Sequence, residues 1–368
     1  MQILVLNSGS SSLKYSLFRA DSALHLISQA ELPGITTPST RVFDQIVTAL
    51  HPHTIHAVAY RVVHPGPHLT AHTRITPAVL TQLEAAHDFA PLHAPAALAL
   101  IHAGLAHFPT LPHFACFDTV FHQTMPSEAT TFPIPQTYRD RGAHRYGFHG
   151  LSCESVLHQL TAANIAIPAR TVIAHLGSGC SITALRHGLS VDNTMGLTPT
   201  GGILMGTRPG DLDPGLVLYL LRQNKNNIDA VEKILNHDSG IHALSNLPNN
   251  LKQVRAAALA QDPQAILALQ IFTRSITKAI GAFAFLFGGL DALIFTGGIG
   301  QHDAQTRAES LTSLESFGIT LNPALNQQPV SAPAAIHASN SKTAVFVVPA
   351  AEDLIIAMHV QRMVRVAT

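Results

Sequence analysis

The chain has 368 residues, more than one hydrophobic core usually organises, so two domains with a cleft between them are expected. Its 22 basic and 22 acidic residues balance and no Lys or Arg block runs along it. That argues against a nucleic-acid or anionic-membrane surface and leaves a small molecule or a second subunit as the natural partner.

Met1 to Leu6 lacks a basic n-region and turns polar at Asn7, so it predicts a strand, not a signal peptide, and with it a cytoplasmic protein. Cys116, Cys153 and Cys180 lack the paired short spacing of zinc sites, which fits a reducing compartment without disulfides. Ile3 to Leu6, the polar run Asn7 to Ser12 and Leu13 to Phe18 predict a β-hairpin with a small-residue loop. His51, His53, His56, His64, His68 and His72 follow among prolines without supporting carboxylates. Most of them read as solvated or hydrogen-bonded side chains sooner than as metal ligands.

Tyr60 to His64 and Cys116 to Thr119 each end a predicted strand, bringing Arg61 and Asp118 to loops. Val172 to Leu176, Gly177 to Ser181 and Ile182 to Leu185 then repeat the opening hairpin, with Ser178-Gly179-x-Ser181 answering Ser8-Gly9-x-Ser11, so the chain is expected to be a structural duplication. Loops of this kind turn backbone N–H groups and serine hydroxyls into one concavity suited to phosphate oxygens, and they also serve as plain tight turns.

Met205 to Arg208 lies in the Gly- and Pro-rich stretch from Met195 to Gly215. Arg61 and Arg208 with Asp118 suggest an oxyanion clamp beside a metal ligand, the alternative being surface ion pairs. Ala279 to Phe295 is apolar but broken by Gly288-Gly289 and by Asp291, so it predicts a buried helix followed by a buried strand and no membrane span. That strand ends in Thr296-Gly297-Gly298-Ile299-Gly300, and strand ends are where α/β sheets place ligands. Neither GxGxxG nor GxxxxGK[ST] is completed, so no Rossmann or P-loop assignment is supported.

In chain order, the segments Asn7 to Lys14, Arg61 to His64, Ala90 to His93, Phe117 to Pro126, Arg145 to Gly150, His175 to Gly177, Met205 to Arg208 with Gly210 to Pro214, Phe295 to Gly300 and Pro349 to Glu352 resemble the acetokinase family throughout. That family comprises acetate kinase and its propionate and butyrate kinase relatives. The resemblance implies an α/β fold of duplicated ribonuclease-H-like domains, as in the actin, Hsp70 and sugar kinase superfamily, with a central cleft. Residues 1–150 would form the first actin-like domain, completed by the C-terminal helix at about 352–368, and residues 151–351 the second. It also implies a homodimer with no nucleic-acid or membrane partner.

By the same resemblance, the reaction is magnesium-dependent phosphoryl transfer from ATP to acetate, with manganese able to replace magnesium. Asn7, Arg61, Asp118, His149 and Arg208 would be catalytic, His149 and Arg208 stabilising the transition state. Asn7, Asp118 and Glu352 would serve the metal, while Arg61, Val62, Leu92, Phe148 and Pro199 would hold the acid. Ser10, Ser12, Lys14, His175, Gly177, Ser178, Gly179, Asn250, Gly298, Ile299, Gly300 and His302 would meet the nucleotide. Acetate is ionised at neutral pH, so direct in-line transfer without a general base or phosphoenzyme is expected.

Several positions depart from the family pattern: Ser178 and Cys153 replace Asn and His, Gln301-His302 replaces Glu-Asn, and Asn250-Leu251-Lys252 replaces Asp-Phe-Arg. These departures fit a drifted ATP site or another phosphoryl donor. A propionate or butyrate kinase, and a nucleotide-binding relative without turnover, are the remaining alternatives.

Overall fold

A computed structural model of the chain describes residues 1–8, 12–33 and 40–367. Ser10, expected to meet the nucleotide, lies outside the described residues with its neighbours Gly9 and Ser11. The chain forms two compact units. The first comprises Met1–Gln123, Ile134–Gly142 and Ala351–Thr368, the second Thr124–Pro133 and Ala143–Ala350.

In the first unit, β1 (Gln2–Ser8), β2 (Ser12–Ala20) and β3 (Leu24–Pro33) form an antiparallel meander. Then β4 (Ala57–Val62) pairs parallel to β1, β6 (His113–Phe117) parallel to β4, and the short β5 (Thr73–Arg74) antiparallel to β6, giving the order β3-β2-β1-β4-β6-β5. Ile3, Leu4, Val5 and Leu6 are all fully buried, because a central strand covered on both faces reads as a continuous apolar run. Helix Thr40–Leu50 buries Val42, Phe43, Ile46 and Leu50, a one-sided stripe at helical spacing.

The second unit repeats this topology. Strands β7 (Arg170–Leu176), β8 (Cys180–Arg186) and β9 (Leu189–Asn193) make the meander, β10 (Ala292–Thr296) and β12 (Ala344–Val347) add in parallel, and β11 (Ala334–Ala335) closes the edge antiparallel. The order β9-β8-β7-β10-β12-β11 matches that of the first sheet strand for strand, so the duplication expected from the two hairpins is borne out.

The apolar stretch ending at Phe295 divides as expected into the end of helix Pro263–Leu286 and strand β10. That helix starts at Asp262, whose carboxylate accepts from the N–H groups of Gln264 and Ala265, with Pro263 in the first turn. It is long and apolar enough to cross a membrane by composition, yet Ala265, Leu269, Phe272, Ile276, Ile280 and Phe283 bury one stripe in this fold.

Candidate active site

In the first unit, the parallel strands β1, β4 and β6 end side by side, with Arg61 in register with Cys116 and Val62 with Phe117. Asn7 therefore stands at the end of β1, Arg61 near the end of β4 and Asp118 one residue beyond β6. The Arg61 guanidinium forks across Asp118, Nε donating to Oδ1 at 2.9 Å and a terminal nitrogen to Oδ2 at 2.5 Å. Its other terminal nitrogen donates to Asn7 Oδ1 at 3.2 Å, and Glu352 Oε2 lies 3.7 Å from Nε.

Asn7 Nδ2 in turn donates to Glu352 Oε2 at 3.1 Å and to Asp353 Oδ1 at 3.2 Å. The second Asp353 oxygen accepts from the Ser16 hydroxyl at 2.6 Å. The amide orientation of Asn7 is thus fixed, its oxygen toward the guanidinium and its nitrogen toward the carboxylates. Glu352 and Asp353 open helix Glu352–Ala367, where carboxylates complement the helix dipole. Asp353 and Ser16 were not anticipated from sequence. Neither sits in a distinctive motif, and only the docking of the last helix beside β1 and β2 brings them together.

Burial pushes the Asp118 carboxyl up, the Arg61 fork pulls it down, and Glu352 adds a further upward push. Burial alone would lower the Arg61 pKa, but Asp118 and then Glu352 reverse this, so the guanidinium stays charged. The Asp353 carboxyl is raised, first by burial, with Ser16 and Asn7 opposing. Three carboxylates therefore share one arginine. Asp118, Glu352 and Asp353 bring surplus negative charge and, with the Asn7 amide, hard oxygen donors, a chemistry that suits a hard divalent cation.

Among the other expected residues of this unit, Val62 is buried at the end of β4 and Leu92 is half-buried just before helix Ala94–His107. Lys14 pairs with Asn7 across the β1–β2 ladder and points outward, while the Ser12 hydroxyl donates to Glu31.

In the second unit, His149 caps helix Gly150–Ala162 in the left-handed region, with φ 59° and ψ 27°. Non-glycine residues are uncommon there, although histidine is among the types that adopt it most readily. Its Nδ1 bonds Ser181 Oγ at 2.9 Å, while His175 Nδ1 bonds Ser152 Oγ at 2.8 Å. The two rings stack with centroids 4.0 Å apart and an 18° interplanar angle.

Arg208 is buried and donates to the Pro199 carbonyl. A Cβ at Gly179 would come within 2.7 Å of an Arg208 terminal nitrogen and 3.4 Å of His149 Nε2, and one at Gly177 within 3.7 Å of His175 Nε2. The His149 imidazole and the Arg208 guanidinium thus converge on Gly179, a pair of donors suited to an anion, with the His175 ring stacked against His149. Phe148 is fully buried, and its carbonyl accepts from Asn193 Nδ2. Burial pushes the nearby Cys180 thiol up to about 12, leaving it unreactive at neutral pH.

The remaining residues of this unit divide. Asn250 is an N-cap: its side-chain oxygen accepts from the N–H groups of Lys252 and Gln253 at 3.1 and 3.3 Å. The neighbouring Asn249 lies against Gly206, beside the Arg208 turn. Gly297 to His302 form a short helix at the end of β10, in which Gly300 is buried while a Cβ at Gly298 would meet nothing within 4 Å. Ile299 sits between them and His302 closes the helix. The buried Arg307, also unanticipated, donates to the carbonyls of Gly300 and Gln301 at 2.8 and 2.9 Å and so holds this helix from behind.

Two sheets of one strand order, each carrying polar side chains at its strand ends, define a duplicated two-unit α/β protein. The model of the Acetokinase family matches residues 35–358. The chain is 36% identical to an acetate kinase of Rhodopseudomonas palustris over 98% of each chain. It also superposes on the crystal structure of Porphyromonas gingivalis acetate kinase with a TM-score of 0.86 at 30% identity, covering 99% of each chain. A propionate kinase from Francisella tularensis matches with a TM-score of 0.86 at 31% identity, covering 97% of this chain and 98% of that one. The chain belongs to the Acetokinase family.

Proposed function

We propose that the chain catalyses reversible phosphoryl transfer between ATP and acetate, giving acetyl phosphate and ADP, with Mg²⁺ as the divalent ion and the two units as first and second actin-like domains. The observation that carries this is the fork of Arg61 on Asp118 beside Asn7 and Glu352, in a chain alike over almost its whole length to acetate kinases.

Both reactants are anions, so the barrier is mostly charge repulsion and alignment. Arg61 and Arg208 neutralise charge without proton transfer, and His149, anchored by Ser181, donates through Nε2 to the transferring group. Bound among Asn7, Asp118 and Glu352, magnesium would supply charge neutralisation for the phosphates. Acetate needs no base, since it is already ionised. Val62 and Leu92 of the first unit supply apolar surface for a short acyl chain, and Gly298, with open space over its Cα, suits the close approach of a nucleotide.

A propionate preference is the second reading, favoured by the equal likeness to the solved propionate kinase. We further propose a cytoplasmic homodimer, supported by the exposed Leu216, Leu218, Tyr219 and Ile228 of the second unit. The test is hydroxylamine trapping of acyl phosphate with ATP, magnesium and each of acetate, propionate and butyrate. Product with acetate at the highest kcat/KM supports the proposal, and no product from any acid rejects it.

A further inference from the structure

We infer that His175 is a positioning residue for His149, acting through ring stacking, not through contact with the transferring group. The inference rests on the proposed reaction for its kinetic consequence but not for its geometry.

His149 is held in a left-handed conformation between Gly147, with φ 70°, and Gly150, the first residue of its helix. Its backbone therefore contributes strain, and its side chain requires external support to keep one direction. Two supports stand out. Ser181 fixes Nδ1 from strand β8, which leaves Nε2 on the side of Gly179, where a Cβ would stand 3.4 Å from it. The His175 ring lies 4.0 Å away and nearly parallel, forming a flat plate along one face of the His149 imidazole.

That plate is itself locked. His175 is in register with Ser181 across the β7–β8 ladder, and its Nδ1 is tied to Ser152, three positions along the helix from His149. The four residues close a ring: His149 to Ser181, across the ladder to His175, to Ser152, and back along one turn of helix. A bond at Nδ1 alone leaves the imidazole able to swing about it, whereas a bond plus a stacked face removes that freedom. Ring identity at 175 matters less than ring shape.

The experiment compares His175→Ala, His175→Phe and Ser152→Ala with the wild type, reading kcat and KM for acetate and ATP. ¹⁵N-imidazole NMR of His149, assigned by its loss in His149→Gln, runs alongside. His175→Ala should lower kcat about tenfold or more with both KM values within about threefold, and should shift and broaden the His149 ring ¹⁵N signals as the ring loses its single orientation. His175→Phe should recover much of the kcat that His175→Ala loses, and Ser152→Ala should fall between His175→Ala and the wild type.

A rise in the ATP KM at constant kcat would overturn the inference and make His175 a donor ligand. So would a folded His175→Phe no better than His175→Ala. If His175→Ala does not fold, His175→Phe and Ser152→Ala still decide. If the wild type forms no acyl phosphate, the proposed reaction fails and the NMR alone decides the positioning.

Discussion

Asn7 and Glu352 stand 345 positions apart in the chain, yet the Asn7 amide nitrogen donates to the Glu352 carboxylate at 3.1 Å. The first strand and the last helix share one unit, so the charge cluster around Arg61 is built from both ends of the sequence.

Arg61→Ala and Arg208→Ala are each expected to lower kcat by about a hundredfold or more, as for removal of a preorganised transition-state charge. Their stabilities should differ in kind. Arg61→Ala strands the buried Asp118 carboxylate, an uncompensated charge that costs about 3–5 kcal/mol. Adding Asp118→Asn should recover most of the melting temperature and none of the turnover. An Arg61→Ala variant of normal stability and unchanged kcat would return that arginine to an ordinary ion pair.

Asp118→Asn and Glu352→Gln should each raise the magnesium concentration needed for half-maximal rate at least about tenfold, because each removes a charged oxygen donor. His64→Gln should leave it unchanged. Initial rates titrated with magnesium at saturating ATP and acetate decide, and unchanged titrations in both carboxylate variants would count against the metal assignment.

Gly179 and Gly298 separate steric roles. A methyl at 179 meets the far end of Arg208 at 2.7 Å, so Gly179→Ala should displace the guanidinium and lower kcat about tenfold while melting nearly normally. A methyl at 298 meets nothing within 4 Å, so Gly298→Ala should keep its stability and kcat but raise the ATP KM several-fold, about 1 kcal/mol of lost binding. Melting curves and paired kcat and KM values check both.

The buried His113 gives a pH dependence. Its Nε2 bonds the Phe108 carbonyl, which can only accept, so Nε2 carries the proton and Nδ1 accepts from the Tyr60 hydroxyl at 2.8 Å. Burial lowers the His113 pKa, with the Phe108 carbonyl opposing. The unfolded chain then binds the proton more readily, below about pH 6.5, so this contribution is complete above that pH and is lost as pH falls toward the lowered folded value. The melting-temperature gap between wild type and His113→Gln should narrow on acidification through that window. A gap independent of pH would show that His113 does not titrate between the two states.

If Asn250, Leu251 and Lys252 face the nucleoside, as the family resemblance implies, base recognition should be weak. With no carboxylate or aromatic ring in that segment, binding should depend mainly on the phosphates, and kcat/KM for ATP, GTP and ITP should agree within about tenfold, roughly 1.4 kcal/mol. Initial rates with each donor test this. An ATP preference above about a hundredfold would mean that other residues rebuild the pocket.

The sequence by itself determined the elements whose signals are local. The two apolar strands ending in small-residue turns, the helix ending before Gly288 and Gly289, and the glycine run after β10 are written in hydrophobic period and turn chemistry, which act over a few residues. The family-matching order of Asn7, Arg61, Asp118, His149, Arg208 and Glu352 was legible for the same reason, since each lies in a short distinctive segment. Only the tertiary structure decided what those residues touch. Asp353 and Ser16 fix the Asn7 amide, Ser152 and Ser181 lock the stacked histidines, and Arg307 holds the glycine helix from behind. Serines, an aspartate and an arginine carry no such signal in sequence. Their partners are set by strand register and helix docking, which are properties of the packed core and not of any one segment.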